Sequence, residues 1–126
     1  MSRQIIHTDH APAAVGTYSQ AVKVGNTVYI SGQIGLDPTS MTLAEGFVSQ
    51  ANQVMANLEA ICQAAGGSLS QVVKFNVSLT DLADFNALNE IFVARLSAPY
   101  PARAAVQVAA LPKGAVVEIE AILYLD

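Results

Sequence analysis

Charge is scarce in this sequence, and positive charge most of all. Six lysines and arginines stand against ten aspartates and glutamates, with two histidines, for a formal net charge of −4. No basic cluster forms along the chain, so the counterion release that drives nucleic-acid binding has little to act on, and no RNA or DNA partner is expected. There is one cysteine, Cys62. It cannot form an internal disulfide, and its place in a helical apolar pattern reads as core filling rather than as a nucleophile. No apolar run approaches the ~20 residues of a membrane span, and the start Met-Ser-Arg-Gln-Ile-Ile-His has no signal-peptide apolar stretch, so no membrane partner is expected and the cytoplasm is the expected compartment. His7 and His10 flank Asp9, but no third or fourth ligand cluster accompanies them. They read as surface histidines, with no metal site expected.

What the chain does have is apolar surface. Hydrophobic residues make up 52% of its 126 residues and charged ones 13%. That length suits a single domain spanning 1–126. A small soluble monomer so poor in charge would struggle to cover itself, and burying a flat apolar face between copies of the chain is the simplest remedy.

Arg3 to His7 reads as a short edge strand, followed by a small-residue loop. Tyr18–Val24 and Thr27–Gln33 alternate as strands around Gly25-Asn26, a dipeptide suited to a two-residue hairpin turn. Gly32 and Gly35 allow something to approach the backbone closely, although neither lysine nor glycine spacing makes a phosphate loop. After the Asp37-Pro38-Thr39-Ser40 turn, Phe47, Val48, Ala51, Val54, Met55, Leu58, Ile61, Cys62 and Ala65 recur at helical spacing. Ser49, Gln50, Asn52, Gln53, Asn57, Glu59 and Gln63 occupy the opposite, polar face, and Gly66-Gly67 supplies the stop. Gln71–Leu79 reads as a strand with Val73, Phe75, Val77 and Leu79 inward. A second helix carries Leu82, Phe85, Leu88, Ile91, Phe92 and Leu96 up to the breaker Pro99. Asn89 lies beside that stripe, where its amide needs partners and is expected to tie down a neighbouring loop. Ala104–Ala110 and Ala115–Tyr124 are the last strands. The order β, ββ, α, β, α, β, β predicts a two-layer α+β domain, a mixed six-stranded sheet with two helices on one face. The other sheet face then needs cover.

Three positions draw chemical interest. Arg103 follows the proline-stiffened Pro99-Tyr100-Pro101 turn at the start of a small apolar run that reads as buried or half-buried. It is either an anion anchor or a structural arginine that reaches water or a carboxylate. Glu118 and Glu120 share one face of the last strand, about 7 Å apart by strand rise. They can face solvent, one can neutralise Arg103, or one held among apolar neighbours can act as a general base.

Several segments together resemble one family. Tyr18-Ser19-Gln20-Ala21, Ile30-Ser31-Gly32-Gln33-Ile34, Asn57-Leu58-Glu59-Ala60-Ile61 with Ala64-Ala65-Gly66, Val73-Lys74-Phe75-Asn76-Val77 with Asp84-Phe85 and Asn89, Pro101-Ala102-Arg103, and Val117-Glu118-Ile119-Glu120-Ala121 are similar, in order and spacing, to the RidA (YjgF/YER057c/UK114) family over nearly the whole chain. The resemblance implies a chorismate-mutase-like α+β fold, a homotrimer with clefts between subunits, and cofactor-free hydrolysis of 2-imino and enamine acids, such as 2-iminopropanoate and 2-iminobutanoate, to 2-oxo acids and ammonia. Carried over by position, it implies that Arg103 pairs with the substrate carboxylate and Glu118 positions or activates water. Tyr18 would close the cleft and lend its hydroxyl, with Ser31, Gly32 and Asn89 completing the binding site. Ala105 stands where many members have cysteine, so only a main-chain role in substrate binding can persist there. A second reading keeps the trimer and the arginine but makes the protein a sensor of 2-oxo acids or amino acids. Ribonuclease activity, attached to some relatives, is disfavoured by the acidic charge.

Overall fold

The computed structural model describes residues 2–126. Its strands are β1 (Arg3–Ile6), β2 (Ala21–Val24), β3 (Thr27–Gln33), β4 (Val72–Leu79), β5 (Ala102–Gln107) and β6 (Val117–Tyr124), and its helices are α1 (Phe47–Ala64) and α2 (Phe85–Arg95). They form one mixed sheet in the order β1-β2-β3-β6-β4-β5. Only the β4–β5 pair is parallel. That pair is joined through α2, the crossover that parallel neighbours require. The expected α+β class and the expected order of elements along the chain therefore hold.

Strand alternation builds the core. Val28, Ile30, Phe75, Val77, Leu79, Val117, Ile119, Ala121 and Leu123 are buried with Val54, Met55, Leu58, Ile61 and Cys62 of α1 and Leu88 and Phe92 of α2. On the other sheet face the register sets Ile5, Val22, Tyr29, Ile122 and Lys74 side by side. Ile5 and Tyr29 there are more than half exposed. One sheet face is packed and the other is open and partly apolar.

Several sequence expectations are corrected. Tyr18, Ser19 and Gln20 precede β2 as a loop instead of belonging to it. Val73 is exposed and Val72 is buried, because the β4–β6 register shifts between Val72 and Lys74 and breaks the alternation. Val48 and Leu82 are largely exposed. On the supposedly polar face of α1, Gln50 and Asn57 are buried. Gln50 Oε1 accepts the Val116 N–H at 2.9 Å, and Asn57 Nδ2 donates to the Leu36 carbonyl at 3.1 Å. Each amide satisfies main chain that would otherwise be buried without a partner. The approach is close: a β-carbon at Gly35 would lie 2.7 Å from Gln50 Cα. β5 runs from 102 to 107 instead of 104 to 110, and it is an exposed edge strand, not a buried one, because only β4 pairs with it. β6 begins at Val117, two residues later than expected.

Candidate active site

Arg103 leaves β5 on the helix side of the sheet, opposite the buried Phe75 in the parallel register. Its Nη1 donates to Asn89 Oδ1 at 2.7 Å, and its guanidinium carbon lies 5.0 Å from the Phe85 ring centroid and 5.5 Å from that of Phe92. Asn89 is therefore tied to the arginine on β5 and not to a loop. A guanidinium offers five N–H donors, and a neutral amide takes one without cancelling its charge. Among the described residues no carboxylate lies within ion-pair distance of it; the one such contact is the exposed His7 Nε2–Asp9 Oδ1 pair at 3.1 Å. The aromatic faces favour the cation and fix the plane of the fork. A cleft of about 420 Å³ opens beside it, lined by Asn89, Phe92, Val93, Leu96, Tyr100, Pro101 and Arg103.

Glu118 leaves β6 on the opposite side, level with Ser78. The β3–β6 register shifts between Ile30 and Gln33, placing Ser31 and Gly32 in a bulge. A β-carbon on Gly32 would come within 2.9 Å of Glu118 Cδ, so glycine gives the carboxyl its space. Burial, and secondarily the charge of Glu120, pushes the Glu118 carboxyl up from its ordinary value. Glu120 itself is exposed and accepts from Asn76 Nδ2 at 3.0 Å. Tyr18, Gly32 and Glu118 share a second cleft of about 310 Å³ with Pro12, Val15, Ile34, Leu36, Met41 and Lys113.

The loop that presents Tyr18 is anchored by Gln20, to which the sequence assigned no role, and by Ser31, which was expected in the binding site but lines neither cleft. Gln20, almost wholly buried, accepts the Thr8 N–H at 2.7 Å and donates to the carbonyls of Thr8 and Pro12 at 3.0 and 2.8 Å. Ser31 Oγ donates to the Ser19 carbonyl at 2.6 Å, so this hydroxyl holds the Tyr18 loop to β3. A glutamine directly before an apolar strand was the available signal, but it does not reveal which loop the amide grips. Ala105 sits level with Val77 on the helix side, packed against the core, and lines neither cleft. The expected site residues are thus divided: Arg103 and Asn89 in one cleft, Tyr18, Gly32 and Glu118 in the other. One chain does not bring them together.

The chain matches the crystal structure of RidA from the Antarctic bacterium Psychrobacter sp. PAMC 21119 with a TM-score of 0.96 and 77% identity, covering 97% of this chain and 99% of that one. The family model described as Endoribonuclease L-PSP matches residues 8–125. The chain belongs to the RidA family. Among RidA relatives, a mouse protein named 2-iminobutanoate/2-iminopropanoate deaminase is 54% identical over 121 residues, 95% of this chain and 90% of that protein. The crystal structure of E. coli TdcF with bound serine matches with a TM-score of 0.92 and 41% identity, over 98% of this chain and 99% of that one.

Proposed function

We propose that this RidA-family chain is a reactive-intermediate deaminase that hydrolyses small 2-imino acids, such as 2-iminopropanoate and 2-iminobutanoate, to 2-oxo acids and ammonia. It works in the cytoplasm as a homotrimer with its sites between subunits. The observation that carries this reading is the state of Arg103. Its guanidinium is oriented by a neutral amide and two rings and, among the described residues, has no carboxylate within ion-pair distance, so it is ready for an anionic substrate. The name of the mouse relative supports the same chemistry.

The division of the site supports the assembly. Each cleft holds half of what the reaction needs, and an open, partly apolar sheet face is available for packing against neighbouring copies. The trimer brings Arg103 of one subunit to the Tyr18–Glu118 cleft of the next.

The reaction adds water to a protonated imine, C=NH₂⁺ + H₂O → C=O + NH₄⁺. Arg103 holds the substrate carboxylate through two parallel N–H···O contacts, a charge-assisted interaction worth about 1.5–3 kcal/mol. Glu118 takes a proton from water as its oxygen attacks the imine carbon, then returns that proton to nitrogen in the carbinolamine. Glu118 then takes the hydroxyl proton as the C–N bond breaks and the carbonyl forms, and that proton passes to the departing ammonia to give NH₄⁺. A carboxylate whose pKa is raised is a stronger base wherever it is ionised, and such general-base help is typically worth about 10²–10⁴-fold. Tyr18 covers the cleft and offers its hydroxyl to the substrate.

The test is to generate 2-iminobutanoate in situ with an amino-acid oxidase and follow its decay. Wild-type protein should accelerate decay and Arg103→Ala should not. Wild-type protein that binds 2-oxobutanoate without accelerating decay would favour the sensor reading instead.

A further inference from the structure

Among the described residues, two other than glycine hold a left-handed backbone, Met41 at φ 57° and Lys113 at φ 58°. Both line the Glu118 cleft. This conformation is costly for a side chain with a β-carbon, and it persists where surrounding contacts enforce it, a pattern concentrated at ligand sites. At Met41 the enforcement is visible. The Met41 N–H donates to the Asp37 carbonyl at 2.8 Å, the Asp37 N–H donates to the Thr42 carbonyl at 2.9 Å, and the Asp37 carboxylate accepts the N–H groups of Thr39 and Ser40 at 2.8 and 2.9 Å. The turn so held packs Met41 against the buried Ile34, Leu36 and Ala115. In the same cleft Val15 is 69% exposed, an apolar side chain that the chain itself leaves uncovered.

We propose that Met41 is a specificity-determining residue: with Val15, Ile34 and Leu36 it forms an apolar wall that receives the imino acid's side chain, favouring unbranched apolar chains longer than a methyl group. The proposal rests on the deaminase reading, because the wall adjoins Glu118 in the cleft where the imine carbon reacts. An unbranched thioether adapts to chains of different length better than a branched residue would. Lys113 defines the rival possibility. Its ammonium is in no ion pair among the described residues and could instead read an anionic side chain.

The test compares kcat/KM for imines generated in situ from alanine, 2-aminobutanoate, norvaline, norleucine and glutamate, using wild type, Met41→Gly and Met41→Phe. Glycine suits the backbone at this position, so its variant keeps the turn. Ratios between substrates within one protein do not depend on how much of it is folded. Wild type should gain about four-fold per methylene, the ratio that ~0.8 kcal/mol gives. Met41→Gly should flatten that rise, and Met41→Phe should reverse it by filling the cleft. Unchanged ratios in all three proteins would overturn the proposal. So would fastest turnover of the glutamate-derived imine, lost in Lys113→Ala. Wild type inactive on every imine would instead sink the deaminase reading, and this proposal with it.

Discussion

Arg103 and Glu118 lie on opposite faces of the same sheet. Arg103 is level with the buried Phe75 on the helix side, and Glu118 is level with Ser78 on the open side. No side-chain rotation within one chain carries either group through the sheet, so chemistry that uses both needs two copies of the chain.

The arginine's partner can be varied without removing the arginine. Asn89→Asp places a carboxylate where a neutral amide now accepts from Arg103, which cancels the charge that the substrate needs. Asn89→Ala removes the orienting contact and leaves the charge. KM for 2-iminobutanoate should rise in both variants, and further in Asn89→Asp. A smaller rise in Asn89→Asp than in Asn89→Ala would contradict the anchor role. Arg103→Lys should also be impaired, by about 10-fold or more in kcat/KM, because an ammonium cannot make the two-pronged contact.

Glu118 should set the acid limb of the pH–rate profile. Burial first and Glu120 second raise its pKa above the ordinary 4.5, so activity should fall with acidity at a higher pH than an unperturbed glutamate would set. Glu120→Gln removes one of the two causes and should move that limb to lower pH. A limb unmoved by Glu120→Gln, with Glu118→Gln retaining full turnover, would remove Glu118 from the mechanism.

The same shift bears on stability, with a definite sign. A carboxyl whose pKa is higher in the folded than in the unfolded state contributes stability that is fully present below the unfolded pKa. That contribution is lost as pH rises through the folded pKa. Once ionised, the half-buried Glu118 therefore works against folding. Glu118→Gln should melt higher than wild type at pH 7, with the difference shrinking toward acid pH, while its turnover falls about 10²–10⁴-fold and 2-oxo acid binding persists. Thermal melts across pH would show it.

Gly32→Ala tests whether the carboxyl's position matters separately from its presence. The new methyl group would meet Glu118 Cδ at 2.9 Å and must displace it. Turnover should fall well below wild type while ligand binding in the Arg103 cleft is preserved, as read by titration with 2-oxobutanoate.

How much of this the sequence carried varies by element. The two periods, helical in Phe47–Ala65 and alternating in Val117–Leu125, located α1 to within a residue and β6 to within two, because apolar burial on one side writes itself directly into spacing. Spacing misleads where a polar group is buried for its hydrogen bonds. Gln50 and Asn57 look like solvent-facing amides until the main chain they serve, at Val116 and Leu36, is placed beside them. Spacing misleads again at Val73, since a bulge leaves no mark in composition. Arg103, Asn89, Tyr18, Gly32 and Glu118 were all legible as candidates through the family resemblance. Their division between two clefts was not, because sheet order and facing decide it and local sequence encodes neither.

The shared site can be tested by co-expressing Arg103→Ala and Glu118→Gln chains, purifying the mixed oligomer and measuring imine hydrolysis. Each variant alone should be inactive. The mixed oligomer should recover activity, because some interfaces then join an intact Arg103 to an intact Glu118 from different chains. Mixed oligomers as inactive as either parent would contradict a site shared between subunits.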